Sequence, residues 1–339
     1  MAGGVVLRPP RSGEKIEMKH GRLEVPPHPV IPYLDGDSRS AARCQATRQR
    51  LDAAVQRAYG KKRRLEWLDV SPALVGEQGM QEPLGDEAVE AFVHYLVGMH
   101  GSLPFEQALY RSLDLYAEQR HLPEADGQQR ILACERSEAS GPELSWAEGS
   151  DEARRLVSFL QRELGVRSIR FPETAAISLE VHSREASERL LRASFAWARE
   201  RGHTELVLVD WVTGRSRLWS TLAGISEEAG RLGEGAPRPR ELTVAEAVAQ
   251  LVAGAPASGV FISTRPIIDL LAAAASARSG SELRCARGCY NLETGHALFS
   301  AWSTGSLTST SEGHDDGVAL DRAGELLLRY LGWGEALGR

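Results

Sequence analysis

Cysteine is scarce in this sequence, and so are methionine and the aromatic side chains: 4 Cys, 4 Met and 6% Phe, Trp and Tyr in 339 residues. Cys44, Cys134, Cys285 and Cys289 are too few for a disulfide framework and suit a reducing compartment. Cys285 and Cys289 form a lone C-x-x-x-C with no nearby histidine or second cysteine pair, so they read as structural thiols rather than a zinc site. No apolar run approaches the roughly 20 residues that cross a bilayer. Met1 to Pro10 lacks the charged start and apolar stretch of a signal peptide. These absences predict a cytoplasmic protein with no membrane partner. Positive charge is not in excess either. A net charge of −6 gives no general drive toward nucleic acid, and the one dense basic run, Lys61-Lys62-Arg63-Arg64, reads as a solvated turn.

The length allows two domains or one large α/β unit, and 42% hydrophobic residues suffice for a buried core. Apolar spacing predicts a helix from Ser40 to Tyr59 with Leu51, Ala54, Val55 and Ala58 on one face and Gly60 as its stop. Asp86 caps a second helix carrying Val89, Phe92, Val93 and Leu96. A third runs from Asp151 to Val166 with Leu156, Val157, Phe159, Leu160 and Leu164 inward. Ser183 caps a helix through Arg201, with Leu190, Leu191, Phe195 and Ala198 inward and Trp197 in core or interface. Thr243 and Glu246 have capping-box spacing. Ile267–Ala277 and Ala319–Leu331 are the remaining helices. Short apolar strands at Leu65–Val70, Arg130–Cys134, Leu206–Val209 and Val260–Ile262 alternate with them, which argues an α/β fold with a mainly parallel sheet. Gly230 to Glu241 reads as a surface loop or remodelled segment.

Several phrases, in order, resemble bacterial NADP-dependent isocitrate dehydrogenases. They are Gly21-Arg22-Leu23-Glu24-Val25-Pro26 with Ile31-Pro32-Tyr33-Leu34-Asp35-Gly36-Asp37, then Leu51-Asp52-Ala53-Ala54-Val55 and Leu113-Asp114-Leu115-Tyr116. Arg170-Phe171-Pro172-Glu173 and Leu331-Gly332-Trp333 continue the series. The resemblance implies the isocitrate/isopropylmalate dehydrogenase-like fold, with large and small α/β domains and a dimer clasp. It places the N-terminal part of the large domain in 1–115, the small domain in 116–300 with the clasp at about 146–185, and a truncated C-terminal part of the large domain in 301–339. It further implies a homodimer that oxidatively decarboxylates isocitrate with NADP and Mg²⁺ or Mn²⁺.

The family's functional positions, read residue by residue, are largely altered. After Gly36-Asp37, Ser38-Arg39-Ser40 replaces glycines that would let a backbone approach the cofactor. Glu106 stands where the family has Asn and Tyr110 where it has Arg; a carboxylate repels a trianion, and the lost guanidinium removes a bidentate clamp. Arg120 matches a substrate arginine, but the next one is replaced by Cys134. His100, in place of Lys, reads as packed or exposed rather than catalytic. The catalytic Tyr falls at Gly141 and the catalytic Lys at Trp211, and neither can move a proton to or from substrate. Asp269 is a metal remnant whose i+4 and i−4 neighbours are Ala273 and Arg265. Glu241, a second metal remnant, stands in for the acid that the family takes from the partner chain. One carboxylate about 4 Å from a divalent ion gives roughly 8 kcal/mol of gross attraction at an effective dielectric near 20, so its loss weakens metal binding. Ala301-Trp302-Ser303-Thr304-Gly305 replaces the adenosine-binding stretch, and His314-Asp315-Asp316 reads as a solvated loop. Arg120 then reads as a surface or interdomain ion-pair residue rather than a ligand.

The resemblance and its losses together imply an isocitrate dehydrogenase-like pseudoenzyme with no catalytic residue and no cofactor. It would form a homodimer or a heterodimer with an active paralogue, and a regulatory role is open to it. The alternative is an active NADP- and Mg-dependent oxidoreductase acting on isocitrate or a related 2-hydroxy acid.

Overall fold

The computed structural model describes residues 7–35, 38–70, 85–101, 103, 106–122, 130–136, 140–211, 237–253, 259–279, 283–303 and 317–338. Strands β1 (Glu17–Lys19) and β2 (Arg22–Glu24) make a small ribbon, and β3 (Val30–Leu34), β4 (Glu66–Asp69), β5 (Val97–His100), β6 (Ala117–His121) and β7 (Arg130–Glu135) enter the main sheet. A second ribbon pairs β8 (Ser140–Trp146) with β9 (Ile177–Glu180), and β10 (Glu205–Asp210), β11 (Arg238–Thr243), β12 (Gly259–Ser263), β13 (Arg284–Asn291) and β14 (His296–Ser303) complete the sheet. The ten-stranded order is β11-β10-β12-β7-β6-β13-β14-β5-β3-β4.

Both flanks of this sheet are parallel, as the alternation of elements predicts. Its centre is not: the ladders joining β7, β6, β13 and β14 are antiparallel. Of these central strands the expected one at Arg130–Cys134 forms as β7, but the pattern misses the others because β6 reads Ala-Glu-Gln-Arg-His and β13 carries two arginines, yet all five residues of β6 are buried. The expected loop at 230–241 is corrected as well. Residues from Arg238 onward form the edge strand β11, hydrogen-bonded to the apolar β10.

Alternation along the strands builds two sheet faces. Leu206, Leu208, Val260 and Ile262 face one way with α1 (Ser38–Tyr59), α5 (Arg184–Glu200) and α8 (Gly317–Tyr330). Val207, Val209 and Phe261 face the other, under α6 (Val244–Ala253) and α7 (Arg265–Ser279). On that second face a separate apolar patch, with Val30, Leu34 and Leu68, lies under α2 (Asp86–Tyr95) and α3 (Glu106–Ser112). The two patches on one face leave a boundary between them, and the site described below occupies it.

Capping chemistry is local, and the expected caps at Ser183 and Thr243 form. Ser183 Oγ accepts from Ala186 N at 3.2 Å, and the Thr243–Glu246 box closes in both directions at 2.8 and 3.2 Å. Asp86 is instead the first residue of α2, with Gly85 at the cap position. That helix buries Ala88, Ala91 and Phe92, whereas Val93 points outward, and on α1 Ala58 is exposed. The helix α4 (Asp151–Arg162) buries only Ala153 and Val157. Phe159 is 51% exposed, and Leu164 just past the helix end 61%, because this helix packs against the turn at Pro172–Thr174 rather than on the main sheet.

Gly98 on β5 is where helix and strand approach closely. A Cβ there would overlap the Phe92 ring and stand 2.9 Å from Pro32 O. Gly98→Ala is expected to cost about 1–3 kcal/mol of stability through overpacking, measured by urea denaturation.

Candidate functional site

Register places a polar island on the boundary between the two apolar patches. Opposite residues of an antiparallel pair share a face, so Arg120 lies beside Arg287 and Leu132, while Glu118 lies beside Cys289 and Cys134. The same face receives Arg287's neighbour Ser300 and Cys285's neighbour Trp302 from β14. α3 reaches the island from one side with Glu106, Gln107 and Tyr110, and α7 from the other with Asp269.

Here Glu118 is shared by two arginines. Arg120 Nε donates to Glu118 Oε1 at 2.5 Å, and Arg136 Nη1 donates to Glu118 Oε2. Arg120 Nη1 donates to Asp269 Oδ1 at 2.6 Å, with its guanidinium carbon 3.9 Å from the Trp302 ring centre. Arg136 Nη2 also holds Gln107 Oε1 at 2.9 Å. Arg287 grips Glu106 with both Nη atoms, at 2.8 and 2.5 Å, and its Nε donates to Ser300 Oγ at 3.0 Å. Three arginines thus face three carboxylates, leaving the island near neutral.

Buried charge needs such pairing, because desolvating each ion costs several kcal/mol. Burial pushes the Glu118 carboxyl up, but Arg120 and Arg136, with Arg287 and Arg265 behind them, reverse this and hold it well below the usual range. Burial likewise opposes Glu106, and Arg287 prevails, leaving it at about 2. His100 is pushed down to about 4 by burial and then by Arg287. Its Nδ1 faces Gly101 O at 2.6 Å, so the neutral ring carries its proton there. Nε2 therefore accepts from the Tyr110 hydroxyl at 2.8 Å, and Tyr110 has no second proton for Glu106 Oε2, 3.4 Å away. Burial raises the Cys285 and Cys289 thiols to about 12, so both stay protonated, in keeping with a structural role.

Two residues the resemblance singled out separately, Arg120 and Asp269, are brought into direct contact. Arg120 is an ion-pair residue as expected, but at 1% exposure it is buried rather than at the surface. His100 is packed, also at 1% exposure. Glu241 is not brought to this pair: it lies on β11, four strands from β6, on the order of 19 Å across the sheet. Gly141 lies on β8 of the separate ribbon, and Trp211 follows β10 with 66% of its surface exposed. Trp302 is buried in β14 beneath Arg120. Gly36, Asp37, Thr304, Gly305 and His314-Asp315-Asp316 lie outside the described residues.

The donor set does not fit a divalent cation. Asp269 already accepts from a guanidinium, Ala273 one turn on is exposed, and among the described residues no three His, Cys, Asp or Glu converge to hold a metal. Sequence reasoning missed Arg136 and Arg287, for which no motif exists. The available signal was Glu118 and Arg120 at strand spacing, two opposite charges placed on one face. Elsewhere, the basic run borders a cleft of about 490 Å³ with Asp52, Gln56 and Leu65, where Arg63 packs over Tyr59 at 4.5 Å and Arg64 pairs with Glu66. That cleft contains none of the residues the resemblance assigns.

The fold is that of the isocitrate/isopropylmalate dehydrogenases. The chain superposes on isocitrate dehydrogenase from Methylococcus capsulatus with a TM-score of 0.65 at 19% identity, over 91% of this chain and 87% of that one. No family model matches the chain. Isocitrate dehydrogenase [NADP] of Helicobacter pylori is 33% identical over 223 residues, 57% of this chain, which spans about half (52%) of that relative's length. Isocitrate dehydrogenase [NADP] of Coxiella burnetii is 29% identical over 373 residues, 97% of this chain and 86% of the relative. Along nearly its whole length the chain is similar to proteins named isocitrate dehydrogenase [NADP]. No described helix is long and apolar enough to cross a membrane.

Proposed function

We propose that this protein is an isocitrate dehydrogenase-like pseudoenzyme that acts by association, as a homodimer or paired with an active paralogue, with a regulatory role. The observation that carries this is the Arg120–Asp269 ion pair. A substrate-arginine position and a metal-aspartate position neutralise each other, so a trianion and a divalent cation must each displace the other's ligand before either binds. Gly141 and Trp211 at the proton-transfer positions support the same reading. Association is supported by the apolar side chains that one chain leaves open between residues 159 and 181: Phe159, Leu164, Phe171, Leu179 and Val181. The division into a large domain (1–115 with 301–339) and a small domain with clasp (116–300) belongs to the same proposal, as does a cytoplasmic location.

A second reading is favoured by similarity along 97% of the chain to a protein named isocitrate dehydrogenase [NADP]. In it the protein is an active NADP- and Mg-dependent oxidoreductase for isocitrate or a related 2-hydroxy acid. Calorimetric titration with NADP and Mn²⁺, with and without isocitrate, separates the two. The first reading expects no heat at millimolar ligand and a light-scattering mass of twice 37.0 kDa. Saturable binding of both ligands with NADPH formation would establish the second, and a strictly monomeric protein that captures no paralogue would sink the first.

A further inference from the structure

We propose that Arg287 is the centre of a carboxylate-binding subsite whose resident occupant is Glu106, and that a short aliphatic monocarboxylate is the ligand class this subsite takes when that side chain is removed. The geometry is that of a receptor rather than an incidental ion pair. Both Nη atoms meet the two Glu106 oxygens in parallel, at 2.8 and 2.5 Å, the fork arrangement by which a guanidinium recognises a free carboxylate. The fork is fixed from behind, because Nε is held by Ser300 Oγ at 3.0 Å and the strand beneath it is paired on both sides.

Arg287 differs from its neighbours in how its carboxylate is supplied. Arg120 is held by Glu118 from its own strand β6 and by Asp269 from α7, so two elements would have to yield before it opened. Arg136 has Glu118 and Gln107. For Arg287 the described residues supply one carboxylate partner, reaching in from the first residue of the short helix α3, and the Glu106 side chain is 21% exposed against 4% for Arg287. The receptor is therefore buried and rigid while its occupant arrives from the outside on a single side chain. Glu106 stands at a position the resemblance assigns to substrate, but the rescue is read from thermal stability alone and succeeds or fails whether or not the chain oxidises isocitrate.

Truncating Glu106 to alanine deletes one methylene and the carboxylate, the heavy atoms of acetate. In Glu106→Ala, thermal unfolding should shift upward saturably with added acetate, on the order of 3 °C beyond equal concentrations of chloride or the neutral isostere acetamide. In Glu106→Gly, which lacks one more carbon, propionate should stabilise more than acetate. The wild type and the double variant Glu106→Ala/Arg287→Met should respond to acetate no more than to chloride. The proposal is overturned if acetate and chloride act alike on Glu106→Ala, if rescue persists in the double variant, or if Glu106→Ala stays unfolded by circular dichroism in saturating acetate.

Discussion

Replacing Glu118 with alanine is expected to cost about 3–5 kcal/mol of unfolding free energy, the range for removing one partner of a buried ion pair. Glu118 is 0% exposed and its two arginines are 1% and 2% exposed. Among the described residues its loss leaves Arg136 with no carboxylate partner and Arg120 with Asp269 alone. Water cannot replace the carboxylate without opening the sheet, because the neighbours on that face, Cys134 and Cys289, are fully buried. The Arg136 Nε already lacks a hydrogen-bond partner, so the pair has no spare acceptor to absorb the change. Replacing all three groups together, Glu118→Leu with Arg120→Met and Arg136→Met, should recover most of the loss, since the one carboxylate deprived of its arginine, Asp269, is 20% exposed and can hydrate. Urea denaturation of the single and triple variants supplies the comparison. A loss under about 1 kcal/mol for Glu118→Ala would mean that solvent reaches the pair, and the description of a closed island would fail.

The elements whose determinants are local were legible in the sequence. Ser183, the Thr243–Glu246 box and the helical spacing of Leu190, Leu191, Phe195 and Ala198 act within a turn or two, and the structure forms each helix where its caps stand. The apolar strands β10 and β12 were equally plain. What escaped was β6 with β13 and β14 at the centre of the sheet. Residues of β6 are charged or polar at four of five positions, a pattern that on its own reads as surface. They are buried because β13, distant in sequence, and β7, the following strand, supply the pairing groups from the two sides. Periodicity weighs each residue against its chain neighbours and has no access to that complementarity.

The same limit applied to the site. Family resemblance identified Arg120 and Asp269, 149 residues apart, as two remnants with separate former duties. Nothing in either local sequence says that one has become the other's counterion. Glu106 read as a repulsive intrusion into an anion pocket, and toward a trianion it would be. In the fold it is an attractive one, satisfying an arginine 181 residues away that carries no motif. The reverse error occurred on α4, where helical spacing of Leu156, Phe159 and Leu160 predicts burial. The spacing is real, but the described chain puts no sheet opposite that face.

Acidification should unfold the protein in two stages, and His100 governs much of the first. Its folded pKa of about 4 lies below the ordinary 6.5 because burial and then Arg287 disfavour the imidazolium, with Glu106 and the Gly101 carbonyl in partial opposition. The unfolded chain therefore takes up this proton at a higher pH than the folded one. Stability is undiminished above pH 6.5 and falls as the pH drops from 6.5 to 4, by about 3 kcal/mol for a shift of this size. His121, held well below its usual range by burial and nearby arginines, adds to the same slope. Glu106 acts in the second stage. Its folded value of about 2 lies below the ordinary 4.5, so its contribution is complete above pH 4.5 and is lost as the pH falls through 2. His100→Gln should lower stability at pH 7.5, because Tyr110 and Gly101 lose a fitted partner. It should also flatten the profile between pH 6.5 and 4.5 by up to about 1.4 kcal/mol per pH unit, the slope carried by one proton. Urea midpoints at unit intervals from pH 7.5 to 4.5 give both profiles. Parallel curves for the two proteins would show that His100 takes up its proton alike in the folded and unfolded states, which a ring buried beside Arg287 cannot do.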